Sequence, residues 1–419
     1  MRATRLLSLA GRNLLRHRRR TIITSGAVAV GLTVFILIDS LLLGVEEESN
    51  RNLIWFETGA AQVVHEGYLP EREDRSLDFA IDEAVEVEER LEAAGMEAAR
   101  RIVFSGELIV FQDPFPEDGS VIVTAYGIDP ADDPDVYRLP ETLTAGEFLQ
   151  AGTNTVLLGG WLAEDIGAEV GYPVTLVTRT RHGYYQTMDL EVAGIVTTPN
   201  PIINRTAVFM PRDVADDYLQ MEGAATEISV STQLGRTLPE ITRLMEEQIA
   251  GMGPLEVADW RTLAADAVAI AEAKETGTGM ILLLVFIIAA VGVSNTVLMS
   301  VLERTRELGM LRAIGMRDGE ITATLLLEAA GIGLLGGLIG IVAGAGVVSY
   351  LVNVGIDYGP MMRETDIGYR VTQVVYGAWN LPTFGRALIV GTGIAVVTAW
   401  FPVRRAVRMS IVDSLRSGS

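Results

Sequence analysis

The side chains that could carry chemistry in this 419-residue chain are few and scattered. Its three histidines, His17, His65 and His182, have no partner at a metal-ligand or catalytic-triad spacing. H-E-x-x-H and G-x-S-x-G are both missing, so zinc-peptidase and serine-hydrolase readings lack their local signatures. The one lysine, Lys274, sits in Ala273-Lys274-Glu275. A Walker loop needs its lysine after glycine and before Ser or Thr, where ammonium and backbone N–H groups hold the phosphates together. This chain therefore holds no standard Walker site. The acidic run Asp129-Pro130-Ala131-Asp132-Asp133-Pro134-Asp135 has the carboxylates that a hard cation takes, but not the EF-hand spacing, and it reads as a solvated acidic loop. There is no cysteine, hence neither a disulfide framework nor a thiolate site. The residues predict no catalytic, cofactor or metal site in this chain.

What they do predict is a set of membrane elements. The formal net charge of −21 excludes a basic nucleic-acid face. Hydrophobic residues make up 49% and mean hydropathy is +0.31, values soluble domains rarely reach. Four apolar stretches, residues 21–45, 277–302, 321–352 and 386–403, suit the ~30 Å hydrocarbon layer at ~1.5 Å per helical residue. The first leads into Glu46, Glu47 and Glu48 without a small-residue cleavage site and reads as an uncleaved anchor. Arg2, Arg5, Arg12, Arg16, Arg18, Arg19 and Arg20 precede the first span; Arg304, Arg306, Arg312 and Arg317 lie between the second and third; Arg404, Arg405, Arg408 and Arg416 follow the fourth. The positive-inside rule then puts residues 1–20, 303–320 and 404–419 in the cytoplasm, and 46–276 and 353–385 on the far side of a multi-pass inner-membrane protein.

Residues 46–276 read as an α+β domain. An amphipathic helix is expected around 78–94, and strands at 101–111, 121–126, 155–158, 174–178, 190–196 and 206–210, the first two joined by the turn-rich 113–119. Further helices are expected at 161–166, 211–219 and 239–250. From Leu255 to Ala273 a helical pattern predicts a stalk running towards the second span.

Inside the spans, Asn295 and Glu328 fall at similar depth, ~10 to 12 Å from the cytoplasmic ends. An interhelical hydrogen bond between them is one reading, and Glu328 reaching the interface is the other. Asp39, near the outer end of the first span, is expected to snorkel. Gly336, Gly340 and Gly344, with Gly333 and Gly337 on a neighbouring line, let helix backbones approach closely, within one chain or across a dimer. In the loop at 303–320, a helix would put Leu308, Leu311 and Ile314 near one side and stop at Gly315; a basic turn that only fixes topology is the alternative.

The run Ser300-Val301-Leu302-Glu303-Arg304-Thr305-Arg306-Glu307-Leu308-Gly309, with Ala313-Ile314-Gly315 after it, closely resembles the loop of FtsX-like ABC transporter permeases, a superfamily that includes the macrolide-exporter (MacB) and lipoprotein-releasing (LolC and LolE) types. Leu158-Gly159-Gly160-Trp161-Leu162-Ala163, Val192-Ala193-Gly194-Ile195-Val196 and the tail Pro402-Val403-Arg404-Arg405-Ala406 match its style; Ser410, where many relatives carry proline, departs from it. The resemblance implies four transmembrane helices with a MacB-like periplasmic core between helices 1 and 2. It also implies a coupling helix docked on a separate ATP-binding subunit that holds ATP and Mg, with two permease chains and two ATPases in the complex. Glu303, Arg304, Arg306, Glu307, Leu308, Gly309, Leu311 and Arg312 are then the expected ATPase contact. Val192 to Met210 looks more like the lipoprotein-releasing group, which points to lipoprotein cargo at the membrane lipid; the loop looks more like the exporter. An FtsX-like signalling scaffold for wall hydrolases is a third reading.

Overall fold

The computed structural model describes residues 2–16, 18–72, 74–110, 119–232, 235–303, 305–357, 371 and 374–407. His17, Arg304, Arg408, Ser410, Arg416 and most of the turn at 113–119 lie outside the described residues. Two compact units result, one made almost wholly of Glu47–Ala271 and the other of the helices before and after it in sequence.

The chain opens with helices α1 (Arg2–Arg16) and α2 (Arg18–Leu53). At 36 residues α2 outruns the predicted 21–45, because Glu46, Glu47 and Glu48 continue the helix instead of ending it. A π-turn, Ile54–Thr58, follows and stops at Gly59, whose φ of 65° is open to glycine at no steric cost.

The α/β unit is built on β1 (Ala61–His65), β2 (Ala98–Ile109), β3 (Ser120–Ile128), β4 (Leu143–Gly146), β5 (Thr155–Gly159), β6 (Pro173–Arg179), β7 (Tyr185–Val196), β8 (Ala207–Pro211), β9 (Glu227–Val230) and β10 (Leu255–Asp259). Its helices are α3 (Ala84–Ala93), α4 (Asp133–Val136), α5 (Gly160–Ile166), α6 (Pro201–Thr206), α7 (Arg212–Leu219), α8 (Leu238–Ile249) and α9 (Trp260–Leu263). Neighbouring strands run β10-β1-β9-β2-β3-β8-β5-β7-β4. Since β6 pairs with both β2 and β7, the strands β2, β3, β8, β5, β7 and β6 close a six-membered ring, in which β3–β8 and β5–β7 are parallel and the other pairs antiparallel. Closure leaves no free edge in that ring. One core, with Phe104, Leu108, Leu158, Leu176, Val208 and Met210, belongs to the ring; a second, with Val63, Val87, Leu91, Ile228, Ile241 and Met245, lies between β1, β9 and the helices α3 and α8. A third, with Ile128, Leu157, Val196 and Phe209, adds to these, and cores shared by strands and helices fit the α+β expectation.

Two expectations fail here. Leu255–Asp259 is strand β10 and not the start of a helical stalk; it pairs residue for residue with β1, from Ala61↔Asp259 to His65↔Leu255, and helix resumes only after it. The backbone groups of β1 on that side need partners, and this demand overrides the local helical pattern. The acidic run is also not wholly solvated. Asp133 is fully buried, accepting from Arg101 Nε at 2.6 Å and Nη2 at 2.9 Å, while the Arg101 guanidinium lies 3.2 Å from the Tyr137 ring centre.

The helical unit continues with α10 (Ala265–Glu303), α11 (Thr305–Ala313), α12 (Asp318–Asn353) and α13 (Leu381–Val407), with a short pairing of β11 (Ile356–Asp357) and β12 (Val374–Val375). Among the described residues three helices are long and apolar enough to cross a membrane, at 21–58, 318–353 and 381–405. The remaining predicted span, 277–302, falls in α10, a continuous 39-residue helix several of whose apolar side chains lie outside the described set. Pro402 sits within the last turns of α13.

Candidate functional site

The loop between the second and third predicted spans is a helix. Thr305–Ala313 form α11, and Gly315, at φ 101°, ends it: Gly315 N–H donates to Arg312 O and Met316 N–H to Leu311 O, both at 3.0 Å. The next helix starts at once, Glu320 Oε2 accepting from the Arg317 N–H at 3.0 Å to satisfy one of the orphan donors of α12. Two side chains lock the turn between them. Arg312 grips Asp318 with Nε at 2.9 Å and Nη2 at 3.2 Å, a bidentate pair that fixes geometry as well as charge. Leu308 packs against the apolar cluster of Ile321, Leu325 and Val28.

The eight residues expected to face an ATP-binding partner therefore differ in role. Leu308 and Gly309 face inward, Glu307 is half-buried with its carboxylate 3.8 Å from Arg16, and Arg312 is tied to Asp318. Leu311 is exposed and Ile314 is 85% exposed, so Leu308, Leu311 and Ile314 are not one buried face. Glu303 is exposed at the end of α10, Arg304 is outside the described residues, and Arg306 is placed by its backbone only.

Glu328 is 5% exposed, and its partner comes from an unexpected element. Asn13 on α1 donates Nδ2 to Glu328 Oε1 at 2.5 Å, whereas Asn295 is exposed on α10. The reading that joined Asn295 to Glu328 is corrected accordingly: the amphipathic N-terminal helix lies along the start of α12, with Leu14 beside Gly331, and reaches the carboxylate first. Leu9, Asn13, Leu308, Leu311, Thr324 and Glu328 line one small cleft where α1, α11 and α12 meet. No local sequence signal pairs positions 13 and 328.

The glycines of α12 divide between two helices of the same chain. A methyl group at Gly336 would stand 2.7 Å from the Ser25 carbonyl oxygen, one at Gly340 3.0 Å from the Ala29 oxygen, and one at Gly344 2.9 Å from Ile36, so this line seats α2. At Gly333 it would meet Thr392 and Ala395 at 2.8 and 2.9 Å, and at Gly337 Leu388 at 2.6 Å, so the neighbouring line seats α13. Small residues on both faces let three helices close on one another, with α13 returning the favour through Gly391 against Leu32. Asp39 has a partner: its Oδ2 accepts from Asn380 Nδ2 at 2.9 Å, and beside it Ser40 and Ala378 exchange two hydrogen bonds of 2.8 and 2.9 Å.

This arrangement, two long apolar helices with a capped nine-residue helix between them and a third packed alongside, coincides with a known domain. Residues 279–411 match the FtsX-like permease C-terminal family. The C-terminal part of the chain is thus an FtsX-like permease domain. The ABC transporter permease YtrF of Bacillus subtilis is 36% identical over 132 residues, 31% of this chain and 29% of that one. An ABC transporter permease of Methanocaldococcus jannaschii is 24% identical over 232 residues, 54% of each chain. The macrolide export ATP-binding/permease protein MacB of Chlorobaculum tepidum is 33% identical over 129 residues, 30% of this chain and 16% of that one. The chain therefore spans well under two thirds of each of these relatives. The periplasmic region of MacB from Actinobacillus actinomycetemcomitans aligns with 49% of this chain and 91% of its own, at 16% identity and a TM-score of 0.35.

Proposed function

We propose that the chain is the membrane subunit of an ABC transporter. Helices α2, α10, α12 and α13 cross the inner membrane, the α/β unit stands outside, and both ends lie in the cytoplasm. In this reading α11 is the element through which an ATP-binding subunit, carrying ATP and Mg, moves α10 and α12, and a second permease chain completes the complex. The observation that carries it is the capped helix α11 inside the segment that matches the FtsX-like permease domain. A helix pinned at its C-terminal end by Gly315 and the Arg312–Asp318 pair moves as a rigid piece with α12, and this is what transmission of a push requires. The work is done on the outer side, and release of lipoproteins from the membrane is the cargo we favour. Export of small molecules or peptides is the second reading, supported by the likeness to a macrolide export protein over 129 residues.

The test is a charge reversal at Arg304 and Arg306 together. The full chain, purified in mild detergent, is expected to bring down a protein with Walker motifs that hydrolyses ATP; the doubly reversed variant should insert in the membrane normally and lose that partner. Undiminished partner recovery and ATPase activity with the variant would sink the coupling role of this loop.

A further inference from the structure

The α/β unit carries a half-open polar cavity of about 420 Å³, within the range of small-ligand clefts, which run from roughly 300 to 1,000 Å³. Its lining is charged with both signs: Arg72, Arg75, Glu227 and Asp266, with Tyr68 and Tyr126 between them. Glu227 lies on β9, opposite Arg101 of β2 in the antiparallel register, and is 3% exposed. Its neighbour Arg101 is tied to Asp133 through Nε and Nη2, with Nη1 buried and unpartnered among the described residues, and the Glu227 carboxylate makes neither a hydrogen bond nor an ion pair within 4.0 Å among them. Burial pushes its carboxyl above the usual range, against the pull of Arg72, Arg101 and Arg75.

Across the cavity Arg72 has a partner, the Leu263 carbonyl, to which its Nη1 donates. Arg75 has none for its guanidinium among the described residues. Among the described residues it is also one of three non-glycine residues with positive φ, at 49°, a conformation that L side chains disfavour. The hydroxyls of Tyr68 and Tyr126 make no hydrogen bond among the described residues, and burial raises both phenols. A carboxylate, a guanidinium and two phenols thus stand around one space without a hydrogen bond among the described residues, Tyr68 and Glu227 buried and Arg75 and Tyr126 partly so. Glu57, also on the wall, differs in that it accepts from Asn200 Nδ2 at 2.7 Å.

We propose that this cavity binds a small zwitterion of the amino-acid or short-peptide class, its ammonium on Glu227 and its carboxylate on Arg75, with the hydroxyls of Tyr68 and Tyr126 between. A cation alone would leave Arg75 uncompensated and an anion alone would leave Glu227 so. A molecule with both charges, a few bonds apart, answers both. The site makes the outer unit a sensor of such molecules. It stands apart from the transport reading: a chain that binds the zwitterion but recruits no ATPase refutes that reading and leaves this one intact.

Calorimetric titration of the full chain in detergent tests it, with glycine, L-alanine and L-alanyl-L-alanine as probes and N-acetyl-L-alanine and L-alaninamide as half-ligands. At least one zwitterion should bind saturably, and each half-ligand should bind at least about tenfold more weakly. Glu227→Gln and Arg75→Gln should each weaken the zwitterion by about tenfold or more. Arg75 lies half-exposed on a loop, so Arg75→Gln decides the matter if Glu227→Gln fails to fold. Lack of saturable binding by every zwitterion up to about 10 mM, equal binding of the half-ligands, or unaltered binding by Arg75→Gln would each overturn the proposal and leave water as the filling of the cavity.

Discussion

The two units of this chain solve the same problem, closing a core, by opposite means. The helical unit removes side chains: where α12 meets α2 and α13, the contact positions are Gly333, Gly336, Gly337, Gly340 and Gly344, and the gain is close packing of backbone and methyl groups. The α/β unit adds charged side chains: Arg101 and Asp133 are both below 2% exposed, and Arg100 and Glu88 form a second, nearly buried pair. The contrast follows from the solvent each surface would otherwise meet. Lipid gives helices no hydrophobic reason to associate, so van der Waals fit has to supply it. Water supplies the hydrophobic drive for the ring of strands, and that surplus tolerates a desolvated ion pair whose own net contribution is small.

The sharpest way to break the comparison is to remove half of a buried pair. Asp133→Ala leaves Arg101 charged and desolvated, and a loss of roughly 3–5 kcal/mol from the α/β unit is expected. Arg101→Met with Asp133→Leu removes both charges together and should restore most of that stability. Hydrogen exchange at the β2 and β9 amides of the full chain reads both variants. If Asp133→Ala protects those amides as well as the native chain does, the pair contributes nothing and the contrast between the units fails.

A smaller effect, in the other unit, comes from adding volume. Gly340→Leu must displace the Ala29 carbonyl or the Leu32 side chain of α2, and overpacking of this kind costs typically ~1–3 kcal/mol. Gly346 lies on the same helix with nothing within 4 Å of where its Cβ would stand, so Gly346→Leu should change stability by no more than about 0.5 kcal/mol. Thermal unfolding in detergent compares the two. Equal melting temperatures would mean that the glycine lines do not seat the neighbouring helices.

The sequence told more about the helical unit than about the α/β unit, and the reason is range. Apolar length, arginine placement and glycine spacing are local, and they located α2, α12 and α13 and the α11 loop; yet they could not say that Gly336 and Gly340 face α2 while Gly333 and Gly337 face α13, nor that Asn13 would reach Glu328 across 315 positions. In the α/β unit, strands with alternating apolar residues, such as β3, β6 and β7, were legible. The strands β1, β9 and β10 were not. They are four or five residues long and exist because of one another, β1 pairing with β9 at Val63↔Ile228 and with β10 at Val63↔Val257. Asp133 illustrates the same limit from the side of charge, since nothing near it in sequence marks it as the partner of Arg101. The cavity around Glu227 was invisible for that reason too: its walls come from segments near positions 57, 70, 126, 227 and 265.

The smallest expected effect sharpens what charge does where water remains. Helix α8 begins with a capping box in which Glu240 Oε2 accepts from the Thr237 N–H and from Thr237 Oγ1, both at 2.8 Å, and within the helix Arg243 and Glu247 form an exposed i,i+4 pair at 3.0 Å. Thr237→Ala should cost about 1 kcal/mol, since an orphan helix donor loses its acceptor. Arg243→Ala should cost at most ~0.3–0.5 kcal/mol, because solvent screens the pair and both long side chains must be ordered to make it. The cap also carries a pH signature. The Thr237 backbone hydrogen bond, followed by its hydroxyl, lowers the Glu240 carboxyl below its ordinary value of 4.5. A group whose folded value is depressed contributes stability above the unfolded value and loses it as pH falls through the folded one. Thr237→Ala should therefore lose part of its deficit relative to the native chain below pH 4.5, whereas the Arg243→Ala deficit tracks salt. A Thr237→Ala deficit that disappears in high salt and persists unchanged into acid would identify the cap as one more screened surface pair.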